Sequence, residues 1–190
     1  VTRSTHSTIE PSPHNHPFMT AIPPVRIRPI EPEDLELVYA IENDPTLWDT
    51  SSSDAPYSRH VLRKYLSSMR PVSEIQELRM AIEIGEKGTS RTIGMIDLTD
   101  IDFINAKAEV GIALLHNERE HGYGTRALHL VARIAQERLR LHQLYALISE
   151  QNEHAIKTFI NAGYQHIADL PEWHYHDKGY ETVRLLQKIL

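Results

Sequence analysis

Residues 109–126 read Glu-Val-Gly-Ile-Ala-Leu-Leu-His-Asn-Glu-Arg-Glu-His-Gly-Tyr-Gly-Thr-Arg, and this stretch decides how the rest of the chain is understood. An apolar run of strand character over residues 108–115 enters a polar turn holding Gly122 and Gly124. A helix follows at once over residues 125–139, with Leu128, Val131, Ile134, Ala135 and Leu139 on one face, so it must pack against a sheet. Glycines let a backbone aim several amides at one point, and a helix N-terminus adds partial positive charge there. The turn therefore suits a phosphate or pyrophosphate, although two glycines also suit a plain tight connection. Six of the chain's eight glycines lie elsewhere, so the pair is not a by-product of composition.

Working outward, residues 25–30 predict a short first strand, and Glu31, Glu33 and Asp34 crowd the start of a helix carrying Leu35, Val38, Tyr39 and Ile41, which Pro45 closes. A second helix is expected over residues 58–69. Strands follow at 78–84 and 92–101, joined by a turn at 85–88. Beyond the long helix come a strand at 144–149, a helix at 153–161 capped by Asn152 and ended by Gly163, and a strand near 164–168. A polar aromatic turn at 172–179 and a last strand at 182–189 complete the chain. The expected order is β α α β β β α β α β β. Residues 1–24 hold five of the 11 prolines and only two formal charges, which predicts a flexible or extended arm before a single domain at 25–190. The arm lacks the basic start and apolar run of a signal peptide.

The 190 residues carry 20 basic and 26 acidic side chains, a net charge of −6, and no cysteine. Disulfides and thiolate metal sites are excluded, and a cytoplasmic setting is expected. Apolar runs such as residues 112–115 fall far short of the roughly 20 residues that cross a bilayer. No basic stripe exists for nucleic acid, and mild acidity suits an amine substrate better. Read as Gly122-x-Gly124-x-x-Ala127, with Glu150 downstream, the loop also matches a dinucleotide fingerprint. The first glycine comes too late after the strand for that, and too little chain remains for the sheet it needs. His174, His176 and Asp177 cluster in the turn, and His14 and His16 in the arm, without any metal-binding spacing, so no metal is expected. No Gly-x-Ser-x-Gly elbow supports a hydrolase.

Arg119-Glu120-His121-Gly122-Tyr123-Gly124 resembles the R/Q-x-x-G-x-G/A signature of the GNAT superfamily of N-acetyltransferases. Asn152-Glu153-His154-Ala155-Ile156, followed by Ala162-Gly163-Tyr164, resembles that family's downstream segment, with Tyr164 in place of Phe. The opening Ile27-Arg28-Pro29 to Asp34-Leu35 and the element order also fit, so the likeness covers about residues 25–189. Within the superfamily the chain looks most like the diamine or spermidine acetyltransferases, with the enzymes that acetylate ribosomal-protein N-termini next.

The resemblance implies an α+β or mixed α/β fold: a mostly antiparallel sheet of six or seven strands, splayed in the middle, with helices on both faces. It implies acetyl-CoA as acyl donor. The pyrophosphate would bind at residues 119–125 (Arg119, Glu120, His121, Gly122, Tyr123, Gly124, Thr125), the pantetheine arm along the main chain of Ile112, Ala113 and Leu114, and the thiol end near Asn152 and Phe159. It implies acceptor-binding carboxylates at Asp97 and Asp100, and often self-association. Asn152 is equally well read as a plain helix cap.

Acetyl transfer to nitrogen needs a neutral amine, and a free alkylamine has a pKa near ~10.4, so a base must first take a proton. A carboxylate is the expected base, with Glu109 as the base relay and Asp100 an amine anchor, although strand-edge carboxylates are commonly just solvated. Where the family commonly places a tyrosine as proton donor to the leaving thiolate, this chain has Phe159, which cannot donate. Either the thiolate leaves unprotonated or through water, or another group such as Tyr164, Tyr123 or a nearby histidine donates, or the activity is weak. Trp173, Tyr175 and Tyr180 either wall an acceptor pocket or cover the end of the sheet. Three functions follow: acetylation of a polyamine or other small amine, acetylation of a protein N-terminus, or acyl-CoA binding with weakened catalysis.

Overall fold

The computed structural model describes residues 22–48, 56–68, 70–176 and 179–190. Most of the expected arm, together with Met69 and Asp177, lies outside them. The elements are β1 (Val25–Pro29), α1 (Leu35–Glu42) entered through a 3-10 turn at Pro32–Asp34, α2 (Pro45–Trp48), α3 (Arg59–Ser67), α4 (Val72–Ile75), β2 (Leu78–Ile84) and β3 (Arg91–Asp102). Then come β4 (Lys107–Leu114), α5 (Tyr123–Glu137), β5 (Gln143–Ser149), α6 (Glu153–Asn161), β6 (Gln165–His176) and β7 (Gly179–Ile189).

The seven strands form one sheet in the order β1-β2-β3-β4-β5-β7-β6, antiparallel except for β4 beside β5. Its two faces alternate along each strand. On one face Ile82, Ile96, Val110 and Leu144 pack under α5 and α6 through Leu128, Val131 and Phe159. On the other, Ala81 and Met95 pack under α1 and α3 through Val38, Ile41, Leu62 and Leu66. Where β1 meets α1, the Arg28 guanidinium grips the buried Asp34 carboxylate at 2.7 and 2.8 Å, and Asp34 also accepts the Glu31 amide at 2.9 Å. Burial would push the Asp34 carboxyl up, but these bonds outweigh it and hold it below the usual range.

Three local expectations need correction. Pro45 does not merely close α1: it opens α2, because a proline lacks only an amide that the first helical position leaves unbonded. Short α4 went unanticipated, since four residues carry no readable period. Most of residues 172–179 are strand, not turn, because the β6–β7 hairpin continues through His174–Glu181 and Tyr175–Tyr180. A break between Leu170 and His174, with Glu172 at φ +53°, scrambles the alternation there. Pro171 is tolerated because β6 is an edge strand.

At Gly94, paired with Leu114, β3 leaves no room for a side chain against β4. A methyl group there would fall on the Ala113 carbonyl oxygen and within 2.6 Å of Leu114 Cδ2. The contact is with backbone, which cannot swing aside. Gly94→Ala is therefore expected to destabilise the fold by about 2 kcal/mol, a fall in Tm of about 6 °C in thermal unfolding. An unchanged Tm would show that β3 and β4 are free to part.

Candidate functional site

The parallel contact between β4 and β5 spans only Lys107–Gln143, Ala108–Leu144 and Glu109–Tyr145. Past it the strands keep opposite partners: β4 stays with β3 as far as Gly94–Leu114, and β5 stays with β7 as far as Ser149–Val183. They part, leaving the β4 edge from Val110 to Leu114 outside any ladder on that side. The Leu115 amide donates to the Ile93 carbonyl at 2.9 Å, and antiparallel alternation then sends the main-chain groups of Ala113 to β3 and those of Ile112 and Leu114 to the open side. Arg119 Nε donating to the Leu114 carbonyl at 3.1 Å fits that assignment. Ala113 was expected to offer its main chain as well, and alternation directs it the other way.

The opening is a cleft of about 1370 Å³ whose walls include Ile112, Leu114, Gly122, Gly124, Thr125 and Asn152. Gly122 stands before α5 at φ +78°, a conformation costly for other residues, and nothing lies within 4 Å of where its Cβ would be. Gly124 matters for packing instead. A Cβ there would sit 3.1 Å from Thr158 Cγ2, so its absence lets α5 lie close to α6. First-turn amides of a helix have no partner within it, so those of α5 present donors at this end of the cleft. Arg119 also reaches Asp44 at 3.2 Å, tying the loop to the α1–α2 connection, and Glu120 lines the cleft at φ +66°.

His121 and Tyr123 do not line the cleft. Tyr123 is 7% exposed and sits in the core, its ring 5.5 Å from that of His121 and nearly parallel to it. Asn152 Oδ1 accepts the Ala155 amide at 3.1 Å, so it caps α6, and it lines the cleft as well. Phe159 reaches the cleft from α6 and meets Tyr164 edge-on at 4.9 Å. Tyr164 itself is buried, its hydroxyl has no hydrogen-bond partner among the described residues, and it is not among those lining the cleft. Burial raises its phenol well above the ordinary value. As proton donor to a ligand it is out of place: the glycine turn before it points the ring into the core.

A second cavity of about 520 Å³ opens on the α1/α3 face of the sheet and shares Leu47, Ile112 and Ala113 with the cleft. It is walled partly by apolar and aromatic side chains, including Ile41, Leu62, Tyr57 and Tyr65, and among the described residues it holds four carboxylates, Glu42, Glu77, Asp97 and Glu109, against one guanidinium, Arg79. Arg79 lies 3.0 Å from Glu42, 3.1 Å from Asp97 and 3.7 Å from Glu77. The Tyr65 hydroxyl donates to Glu77 at 2.9 Å. Burial pushes the Asp97 carboxyl up to about 6 despite Arg79 beside it. Burial and the neighbouring Asp100 charge likewise raise Glu109, which accepts the Leu147 amide across the point where β4 and β5 separate.

Asp97 and Glu109 thus share one cavity, and Asp100 does not. Asp100 is exposed at φ +48° in the irregularity between Thr99 and Asp102, which rotates it off the face that simple alternation predicts. Glu42, Glu77, Arg79 and Tyr65 escaped notice in the sequence, since they come from α1, the α4–β2 link, β2 and α3 and follow no motif. Among the described residues no group of three or more His, Asp or Glu is arranged to hold a metal ion. No described helix is long and apolar enough to cross a membrane.

Residues 25–165 match the Acetyltransferase (GNAT) domain family. The chain is 28% identical over 144 residues to spermidine N(1)-acetyltransferase of Escherichia coli K12, covering 74% of this chain and 72% of the relative. Its fold is similar to the crystal structure of spermidine N-acetyltransferase from Vibrio cholerae in complex with CoA and spermine. That match has a TM-score of 0.75 at 20% identity and covers 87% of this chain and 95% of the other. A dodecameric structure of the Vibrio cholerae enzyme in an intermediate state matches with a TM-score of 0.72, also at 20% identity, over 87% and 93% of the two chains. With a splayed sheet, a glycine turn opening the longest helix and a family match over most of its length, the chain belongs to the GNAT acetyltransferases.

Proposed function

We propose that this protein transfers the acetyl group of acetyl-CoA to a primary amine of a polyamine or a similar small cation. The supporting observation is the meeting of two unlike cavities at the open edge of β4: one beneath the donors of α5, the other lined by four carboxylates against a single guanidinium. A diphosphate suits the first, because the α5 amides and helix end favour an anion. A pantetheine arm can extend the sheet along the open groups of Ile112 and Leu114. Asn152 caps α6 with its oxygen, and among the described residues its NH2 group is left for the arm. Phe159 adds an apolar contact at the thiol end.

The second cavity suits a flexible chain of methylenes and ammonium groups, with tyrosine rings beside the former and carboxylates for the latter. Its position beside Ala113 brings an amine close to the end of the cleft where an acyl group would lie. Glu109, whose carboxyl burial has made more basic, is the proposed acceptor of the proton that the ammonium loses before attack, directly or through water. Asp97 is the proposed anchor for a second ammonium, in place of the exposed Asp100. A cysteine-free chain acting on such a metabolite fits a cytoplasmic setting, and self-association is part of the same reading.

The reading is tested by free-thiol release from acetyl-CoA. Turnover on spermidine and not on peptides is expected, peptides alone would indicate an N-terminal acetyltransferase, and coenzyme A binding without turnover would indicate a binding module. Gly122→Val is expected to weaken coenzyme A at least tenfold in calorimetry, because the side chain enters the cleft and strains a left-handed turn. Unchanged affinity would return the glycine to a purely conformational role. Asp97 is ionised above about 6 and neutral below it, so the amine KM should rise as the pH falls through that value while the acetyl-CoA KM stays level. Asp97→Asn should show the high amine KM, about tenfold above wild type, at every pH. An amine KM that follows the wild-type curve in this variant would remove Asp97 as anchor.

A further inference from the structure

We propose that Ser149, Glu181 and His174 form a proton path out of the cleft, with the Ser149 hydroxyl taking the proton that the acylated nitrogen sheds. The proposal rests on the N-acetyl transfer reading and adds the residue that completes it. Ser149 ends β5 on the cleft wall and is 8% exposed. Its Oγ donates to Glu181 Oε2 at 2.6 Å, a short bond of the kind an ionised acceptor makes, and accepts the Gln151 amide at 3.3 Å. Glu181, with its side chain 8% exposed, also lines the cleft, and its Oε1 lies 3.5 Å from Nδ1 of His174, opposite it on β6. His174 is 38% exposed, so the three groups run from the cleft to solvent.

The direction of the path follows from donor and acceptor chemistry. A carboxylate can only accept, so the Ser149 hydrogen is committed to Glu181. Gln151 occupies one of the hydroxyl's lone pairs, and the other is left to accept. A group so arranged receives protons from a ligand and passes them outward.

The reaction supplies such a proton. Attack of the neutral amine forms the N–C bond and leaves the nitrogen positively charged with a surplus hydrogen. As that N–H bond breaks, a bond to Ser149 Oγ forms, and the hydrogen Ser149 held moves to Glu181 Oε2. Ser149 is then a neutral hydroxyl again and Glu181 a carboxylic acid. The acid then gives its proton to water at the open end of the path beside His174, and Glu181 returns to a carboxylate. The C–S bond breaks, and the departing thiolate takes a proton from water, balancing the one released. Glu109, in the other cavity, deals with the first proton, and Ser149 with the second. Neither Phe159 nor the buried Tyr164 is needed.

The test is steady-state kinetics on spermidine and on any other amine the wild type acetylates, with coenzyme A affinity measured by calorimetry. Ser149→Ala should lower kcat about 100-fold while both KM values and the coenzyme A affinity stay within about twofold. Ser149→Thr, which keeps the hydroxyl, should recover most of the rate. Glu181→Gln should match Ser149→Ala, because an amide cannot take the proton, and His174→Gln should cost less, because water reaches that end. A kcat near wild type in Ser149→Ala, an equal loss in the Thr and Ala variants, or a loss that tracks coenzyme A affinity would each overturn the path. A wild type active on other amines but not on spermidine would sink the polyamine reading alone, and the same variants would then decide the path on those amines. A wild type that acetylates nothing would overturn both.

Discussion

The separation of β4 from β5 after three residue pairs is the constraint on which the remaining structure depends. Each strand is fully engaged on its outer side, β4 with β3 and β5 with β7, so neither can turn to follow the other. The open edge cannot close on itself, and a buried main-chain group without a partner is costly. The fold meets part of that cost with Arg119 on the Leu114 carbonyl and leaves the rest to a ligand. A sheet with an internal gap therefore has a binding site as a consequence of its topology.

Charge is divided across that gap in a way that suits two substrates of opposite sign. The cleft end faces the first turn of α5, where amide donors favour an anion, whereas the cavity under α1 and α3 concentrates carboxylates around Arg79. Arg79 does not neutralise the cavity. It offsets part of the mutual repulsion among Glu42, Glu77 and Asp97 and lets them share the space. Burial does the rest, because it raises Asp97 and Glu109 toward the range in which carboxyl groups exchange protons near neutral pH.

Two substitutions relative to the family's usual pattern redistribute roles within the site. Phe159 occupies a place on the cleft wall where a phenol is common, and it packs against Tyr164 and carries no proton. Tyr164 keeps a hydroxyl that the core has isolated. Elsewhere on the wall Ser149 and Glu181, 32 residues apart in sequence, are held together by the adjacent strands β5 and β7. Their pairing adds polar cost to a largely apolar interior, which the 2.6 Å bond offsets.

The local features were legible from residue order alone. The turn at Gly122, the amphipathic α5, the Asn152 cap and most strand positions depend on dihedral preferences and on neighbours three or four residues away, and these are written directly into the chain. What needed the folded molecule was any property set by residues distant in sequence. Asp97 and Glu109 meet because β3 and β4 pair in one register, while the irregularity after Thr99 turns Asp100 out to water. Glu42, Glu77, Arg79 and Tyr65 converge from separate elements, and Ser149 meets Glu181 only through the β5–β7 ladder. Short-range geometry fixes where the chain turns, but burial, which decides the protonation and partners of a side chain, is a property of everything packed around it.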